Sequence, residues 1–339
     1  MNGYPQPTFT HLIRLSDDTG LLEHARGAIP LRGHGYCVDD VARGLMVICR
    51  EPRPTAKLTA LAERYLAFLI QAQADDGTFH NRLSYQRTWL DPTGTGDSWG
   101  RALWGTGTAV ARARTDHVHD AALQTFERAS HNRSRWPRAM AFAGLGAAEV
   151  LCVMPAHKGA RQLLADAVTT VGRPAETPGW PWPEPRLTYA NAALAEVHLA
   201  AGQRLENQRL VDSGIRLLVW LLEQETRDGH LSTTPTEGWT AGEPRPGFQQ
   251  QPIEVAAIAH ACARARALTG DVGWDDQIRL AIDWFLGEND SKVELADWIT
   301  GGCADGLRAS GCSHNQGAES TIALISTLQH GRGLSRMRH

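Results

Sequence analysis

The stretch WGRALWGTGTAVARA, residues 99–113, decides the fold class. Its apolar side chains recur at helical spacing, but it also contains Gly100, Gly105 and Gly107. A glycine inside a helix costs roughly 1 kcal/mol relative to alanine. Repeated glycines therefore indicate a helix whose backbone approaches its neighbours closely, since tight packing can offset that cost.

Five further stretches have the same small-residue composition. They read VARGLMVIC (41–49), MAFAGLGAAEVL (140–151), ANAALAEVHLAA (190–201), EVAAIAHACARARA (254–267) and GAESTIALIS (317–326). Bulkier amphipathic stretches, such as LAERYLAFLIQAQ (61–73) and GIRLLVWLLEQE (214–225), alternate with them. The six small-residue helices begin near residues 40, 97, 137, 188, 251 and 316. Internal repetition of a helical hairpin gives such a spacing.

The periodicity predicts eleven helices, near 40–50, 58–69, 97–114, 118–130, 137–153, 157–171, 188–201, 206–225, 251–268, 274–287 and 316–329. Their alternation predicts an all-α fold, an (α/α)6 barrel with tight inner and bulky outer helices, in one domain spanning 1–339. Residues 9–25 are expected to complete the outer ring, and 331–339 to form a frayed tail. A helical solenoid is the alternative, although solenoids keep a more uniform period. Loops 75–96 and 227–250 are expected to be the longest and to form a wall around one side of the barrel mouth.

Composition excludes several functional classes. The chain has 339 residues and a formal net charge of −3, with no block of Lys and Arg, which argues against nucleic acid as a partner. It has neither the ~18 unbroken apolar residues of a membrane helix nor a secretory signal at its start, so we expect a cytoplasmic protein without membrane attachment. Its six cysteines form no C-x-x-C pair, and neither phosphate-binding nor dinucleotide-binding glycine motifs occur. We expect no disulfide framework, no metal and no cofactor.

Polar and aromatic residues cluster at the start of each small-residue helix. The clusters are HGYCVDD (34–40), GDSWGR (96–101), RWPR (135–138), GWPWPEPRLTYAN (179–191), FQQQPIE (248–254) and SHNQGAES (313–320). If the inner helices run parallel, all six clusters open on one rim of the barrel. Each cluster taken alone also fits helix capping or loop packing.

Carboxylates, amides and flat aromatic faces on one rim are suited to a sugar. Glycosidic cleavage needs one carboxylic acid that protonates the leaving oxygen and a second carboxylate that activates water or attacks carbon. We expect these carboxylates to be drawn from Asp40, Glu184, Glu254 and Glu319. The expected substrate-binding residues are His34, Tyr36, Asp39, Asp97, Trp99, Arg101, Trp136, Trp180, Trp182, Tyr189, Asn191, Trp239, Gln250, Gln251, Asn315 and Gln316.

Two histidines keep a second chemistry open. His198 and His260 lie within inner helices, where a hydrogen-bonded core imidazole is the ordinary role. A pair of barrel histidines could also act as base and acid in a sugar epimerase or isomerase.

Several motifs resemble one protein group. HGYCVDDVARGL (34–45), GDSWGRALWG (96–105), GWPWPEPRLTYANAAL (179–194), FQQQPIEVAA (248–257) and the closing NQGAESTIAL (315–324) resemble a bacterial group within the six-hairpin glycosidase-like superfamily. The resemblance covers about residues 11–328. It implies an (α/α)6 barrel that acts on a glycan, with association with glycosyltransferases and mannoside-processing genes. Where that group tends to read W-x-W-F-E, this chain has Pro183 before Glu184 and lacks the aromatic residue.

The sequence therefore predicts a glycoside hydrolase of inverting type that acts on a short oligosaccharide, expected to be a mannoside. A sugar epimerase in the same barrel and a non-catalytic glycan-binding partner of a glycosyltransferase remain the alternatives.

Overall fold

Six small-residue helices form the inner ring of the barrel. The computed structural model describes residues 3–335, and within them twelve α-helices form. The inner helices are α2 (Val38–Cys49), α4 (Asp97–Arg112), α6 (Pro137–Val153), α8 (Ala192–Arg204), α10 (Pro252–Thr269) and α12 (Ala318–His330). Each contacts the next in this order, and α12 contacts α2, so the ring closes. Closure confirms the (α/α)6 barrel and excludes the open solenoid.

The remaining helices form the outer ring. They are α1 (Thr10–Leu15), α3 (Ala56–Ala72), α5 (Asp116–Ser130), α7 (Lys158–Val171), α9 (Gln208–Glu225) and α11 (Gly273–Phe285). Each of α3, α5, α7, α9 and α11 packs on the inner helix that precedes it in the chain, and α1 packs on α12. The helix within residues 9–25 is thus a short one of six residues. The apolar core lies between the two rings.

Glycines allow the inner helices α4 and α6 to approach closely. A Cβ atom added to Gly107 would collide with the backbone carbonyl of Gly146, and one added to Gly146 would collide with that of Leu103. A side chain at either position would therefore force the two backbones apart. This contact explains why small residues recur in the stretch that predicts the barrel.

The two ends of the barrel are built differently. Each loop that leads from an inner helix to the next outer helix has at most six residues. Most loops that lead from an outer helix to the next inner helix are longer. The α1–α2 loop has 20 residues or more, and so do four of the five loops that follow α3, α5, α7, α9 and α11. The long loops therefore surround the amino-terminal ends of the inner helices. The loop 286–317 is longer than 75–96 and 227–250, which corrects the expectation that those two are the longest.

Ten two-residue strands brace these loops in five antiparallel pairs. The pairs are Ala25–Arg26 with Ile29–Pro30, Tyr36–Cys37 with Arg82–Leu83, Thr226–Arg227 with His230–Leu231, Ala296–Asp297 with Gly302–Cys303, and Leu307–Arg308 with Gly311–Cys312. A short 3-10 helix, Arg32–His34, lies in the first loop. These strand pairs thus build up one rim of the barrel.

The predicted tail 331–339 is described only as far as residue 335. Arg332 pairs with Glu51, Leu334 packs on the core, and Ser335 forms a bridge with Gly3. Residues 336–339 lie outside the described part of the chain. No helix within residues 3–335 is long and apolar enough to cross a membrane.

Candidate active site

Arg43 joins two of the four predicted catalytic carboxylates at the centre of the looped rim. Asp40 and Arg43 lie one turn apart on α2, and Glu319 lies in the first turn of α12. The Nη2 atom of Arg43 is 2.7 Å from Oδ1 of Asp40 and 2.9 Å from Oε2 of Glu319. These two oxygens are therefore at most about 5.6 Å apart, the sum of the two distances. Sequence reasoning missed Arg43, although its i, i+3 spacing from Asp40 places both on one helix face.

The two carboxyl groups have different surroundings. Asp40 is 3% exposed, and burial raises its pKa to about 8 against the opposing effect of Arg43. Burial therefore favours the protonated form of this carboxyl group at neutral pH. The Glu319 side chain is 39% exposed to solvent. A buried acid beside a solvated carboxylate is a common arrangement in acid and base catalysis.

Three more predicted residues surround this pair. Burial raises the pKa of Asp39, with Arg43 and Arg101 opposing the effect, and its Oδ1 atom is buried without a hydrogen-bond partner in the described structure. Asp97 accepts a hydrogen bond of 2.6 Å from the hydroxyl of Tyr189, a residue that is 42% exposed. Asp39, Asp97 and Tyr189 thus place polar groups around the same mouth of the barrel as Asp40 and Glu319.

Arg101 lies on α4 and points into a space that residues of all six inner helices line. Its guanidinium lies 3.5 Å from the ring centre of Phe142 and 5.6 Å from that of Trp104. Burial lowers its pKa to about 10, and the nearby Arg43 adds to this. An enclosed space of about 30 Å³, here called the upper cavity, lies between Arg101, Trp104 and His260. It has room for one or two waters and is too small for a sugar ring.

Arg138 organises the next part of the rim, and sequence reasoning missed it too. It donates hydrogen bonds to Glu184 Oε1 at 2.7 Å, to Asn191 Oδ1 at 3.0 Å and to the carbonyl of Tyr189. The guanidinium also lies 4.8 Å from the ring centre of Tyr189. Glu184 is therefore held in an ion pair, with Oε2 buried and unpartnered in the described structure.

Glu254 holds the start of α8. Its carboxylate accepts hydrogen bonds from the backbone N–H groups of Ala190 and Asn191 and from the Asn191 side chain. Burial raises its pKa, Glu225 adds to this, and the two backbone N–H groups oppose it. Ala190 has a φ of 45°, and α8 begins at Ala192 rather than near 188 because residues up to Asn191 are held in this turn. Glu254 thus positions the backbone of the rim.

Two of the five tryptophans expected at the rim are packing residues instead. Trp99 is fully buried and donates from Nε1 to the carbonyl of Ala129 on the outer helix α5. Trp182 is 1% exposed and stacks on Trp220. Conversely, Trp104 lines the upper cavity with its Nε1 unpartnered in the described structure. Trp99 faces outward because it lies on the side of α4 opposite the cavity.

The other three tryptophans retain exposed surface. Trp136 is 53% exposed and lies under the guanidinium of Arg135. Trp180 and Trp239 are half-buried, with ring centres 5.8 Å apart, and each donates to a backbone carbonyl. They form an aromatic part of the loop wall.

Most of the amides expected to bind sugar hydroxyls are used within the protein. Gln250 forms hydrogen bonds with Trp284 and Asp290, and Asn191 forms them with Arg138 and Glu254. Asn315 forms hydrogen bonds with Ala25 and Asp305, and Gln316 forms them with Thr300 and Asp297. These contacts fix the loops, so the amide groups of these four residues already have partners within the protein. Gln251 is half-buried at the start of α10.

Tyr36 and His34 lie farther from the carboxylates. Tyr36 is 1% exposed and donates to Asp17 at 2.7 Å, so it belongs to the core and not to the substrate surface. His34 is exposed, with its ring edge-on to His24.

Glu23, Cys37 and Asp40 place three potential metal-ligating atoms within 4.8 Å of one another. Arg82 pairs with Glu23, and the Cys37 thiol lies 3.3 Å from Oδ1 of Asn81. Burial raises the pKa of Cys37 well above its ordinary value, so it remains a thiol. Arg82, Asn81 and Arg43 therefore already contact these three groups.

His198 and His260 do not form a pair. His198 is fully buried and bonds through Nδ1 to the carbonyl of Leu194 at 2.8 Å. His260 contacts Arg50 at 3.0 Å and His330 at 3.1 Å, toward the other end of the barrel. Neither contacts the carboxylates that Arg43 joins.

Solved structures of other proteins have the same fold as this chain. No family model and no curated protein matches the sequence. A sugar epimerase from a ruminal bacterium has a TM-score of 0.72 at 10% identity, covering 97% of this chain and 96% of its own. A D-mannose isomerase has a TM-score of 0.68 at 12% identity, covering 94% of each chain. A GH76 alpha-mannanase from Bacteroides thetaiotaomicron has a TM-score of 0.61 at 8% identity, covering 88% of this chain and 86% of its own. By these similarities the chain has the same fold as these enzymes, an (α/α)6 barrel.

Proposed function

We propose that this chain is a sugar-processing enzyme and, more specifically, a glycoside hydrolase that cleaves a short oligosaccharide. The observation that carries this proposal is the single guanidinium of Arg43 bound to both Asp40 and Glu319 at the looped rim. Glycosidases need two carboxyl groups close together with different protonation states. Asp40 is buried with a raised pKa, while Glu319 is accessible to a substrate.

The two carboxyl groups take complementary roles. Asp40 donates its proton to the glycosidic oxygen as the bond to the anomeric carbon breaks. Glu319 attacks that carbon as a carboxylate and forms a glycosyl ester, which water then hydrolyses with Asp40 acting as base. Arg43 holds both groups and balances their charge as the proton leaves Asp40. Asp39, Asp97 and Tyr189 bind hydroxyl groups of the sugar.

The spacing favours retention over the inversion that the sequence predicts. Retaining enzymes place the two carboxyl groups about 5–5.5 Å apart, whereas inverting enzymes need about 6.5–9.5 Å to admit a water. The two oxygens on Arg43 are at most about 5.6 Å apart. We therefore propose a double displacement.

The expected substrate is a mannoside. The motifs quoted above resemble a group linked to mannoside processing, and the structural neighbours include a D-mannose isomerase and an alpha-mannanase. The six cysteines are all free, which supports a reducing, cytoplasmic setting. Association with a glycosyltransferase remains a proposal from the resemblance.

The epimerase alternative rests on a different histidine pair from the one that the sequence offers. His198 and His260 have separate surroundings, whereas His260 and His330 lie 3.1 Å apart, and the structural neighbours include a sugar epimerase and a D-mannose isomerase. The non-catalytic alternative predicts glycan binding without turnover.

The test is cleavage of mannobiose, mannotriose and mannotetraose by the full chain. We expect Asp40→Asn and Glu319→Gln each to lower kcat at least 100-fold, the usual contribution of such groups. Glu237→Gln, which changes an exposed glutamate on the loop 226–251, is the matched control and should retain full activity. If both rim variants kept wild-type kcat, the assignment would be wrong.

A further inference from the structure

A second and larger cavity lies at the opposite end of the barrel. It has a volume of about 470 Å³, and all six inner helices contribute to it near their carboxyl-terminal ends. This space, here called the lower cavity, shares Glu196 and His260 with the upper cavity. Its size falls in the range of sites that hold small molecules.

Five arginines line the lower cavity: Arg50, Arg112, Arg204, Arg264 and Arg332. Three carboxylates neutralise part of their charge. Glu149 lies 3.3 Å from Arg50 and 3.4 Å from Arg112, Glu196 lies 3.0 Å from Arg264, and Glu51 pairs with Arg332. Five guanidinium groups against three carboxylates leave an excess of two positive charges.

Arg204 has no carboxylate partner in the described structure. Its Nη2 atom contacts the Cys152 sulfur, and its Nε atom is buried without a hydrogen-bond partner there. Arg50 has a side chain that is only 11% exposed and shares its one carboxylate, Glu149, with Arg112. Burying guanidinium groups without full compensation is unfavourable, so their retention around one cavity indicates an anionic ligand.

The helix dipoles favour basic side chains at this end of the barrel but do not occupy the N–H groups of these arginines. The negative ends of the inner helices point to this end of the barrel, and basic side chains there are favourable. Within residues 3–335, however, none of the five guanidinium groups donates a hydrogen bond to a carbonyl at a helix end. They bond instead to side chains around the cavity.

Two histidines complete the wall. His260 and His330 lie 3.1 Å apart, and burial together with Arg50 lowers the pKa of both. Both rings are therefore neutral and add hydrogen-bonding groups rather than charge.

We propose that the lower cavity binds the phosphate groups of a small phosphorylated metabolite, with Arg50, Arg112, Arg204 and Arg264 as the ligands of its oxygens. A guanidinium group has two parallel N–H donors that can bind two phosphate oxygens at once. The excess of two positive charges equals the charge of a phosphate dianion. This site is separate from the rim carboxylates and does not depend on the proposed hydrolase activity.

Titration calorimetry with inorganic pyrophosphate tests the proposal on the full chain at low ionic strength. We expect one saturable site, with Arg204→Gln weakening binding at least tenfold. Arg209→Gln removes an exposed arginine outside the cavity, and Arg101→Gln removes the one beneath the rim; both should bind within twofold of wild type. Circular dichroism melting checks that each variant folds.

Three results would overturn the proposal. The first is no saturable binding of pyrophosphate or inorganic phosphate by the wild type, and the second is equal binding by Arg204→Gln and Arg209→Gln. The third is loss of binding in Arg101→Gln, which would place the anion at the looped rim. Citrate binding as tight as that of pyrophosphate would also contradict it, because the site would then select charge and not phosphate.

Discussion

Replacement of Asp40 by asparagine should remove a specific pH dependence of stability. With a pKa of about 8, Asp40 keeps its proton in the native state at neutral pH, whereas the unfolded chain loses it near the ordinary value of 3.8. Between these values the unfolded state binds fewer protons, so the free energy of unfolding falls as pH rises. The stability that the protonated group contributes is complete below about pH 4 and is lost as pH rises through about 8.

The magnitude follows from the two pKa values. Each pH unit in this window changes the free energy of unfolding by about 1.4 kcal/mol. Wild type should therefore lose about 2 to 3 kcal/mol relative to Asp40→Asn between pH 5 and pH 7. Other titrating groups are common to both proteins, and the loss of one Arg43 contact is the same at each pH, so the difference isolates Asp40.

Urea denaturation at pH 5, 6, 7 and 8 measures this difference. Asp75→Asn, on an exposed side chain, is the control and should show a constant difference from wild type. A wild-type minus Asp40→Asn difference that stays constant from pH 5 to pH 8 would refute the buried, protonated Asp40 on which the proposed proton donor rests.

Three further outcomes follow from the same structure. The kcat/KM of hydrolysis should fall above about pH 8, tenfold per pH unit, because Asp40 must be protonated in the free enzyme; a profile of kcat/KM that stays level to pH 10 would exclude this donor. Gly107→Ala should lower the free energy of unfolding by about 1 to 3 kcal/mol through collision with the Gly146 carbonyl. Gly33→Ala, where a Cβ meets no atom within 4 Å, should change it by less than about 0.5 kcal/mol, and equal urea midpoints for the two variants would contradict the packing argument. Proton NMR of the first product formed should show retained anomeric configuration, and the inverted anomer would reinstate the inverting mechanism.

The barrel was accessible from sequence because its signals are local. Alternating small and bulky helices follow from residue size, and polar clusters mark each inner-helix start. The faces of the inner helices were not accessible, because these helices are buried on both sides and their hydrophobic pattern lacks contrast. Trp99 and Trp104 lie on one such helix, and only the structure separates the outward ring from the one at the cavity.

The hydrogen-bond partners of the rim amides come from distant parts of the sequence. Asn315 bonds to the backbone of Ala25, and Gln250 bonds to Asp290. A polar residue at a rim looks the same in sequence whether it binds a ligand or fixes a loop. Arg43 had a local signal in its spacing from Asp40, but its second partner, Glu319, comes from the far end of the chain.

Cleavage in water enriched in oxygen-18 tests the central claim most directly. The full chain is incubated with mannotriose and the products are weighed by mass spectrometry. Hydrolysis at the rim carboxylates predicts two smaller sugars, one carrying a single oxygen-18 atom at its new reducing end, and no such products from Glu319→Gln. Unchanged sugar mass with altered stereochemistry, or bound sugar without any turnover, would contradict the account.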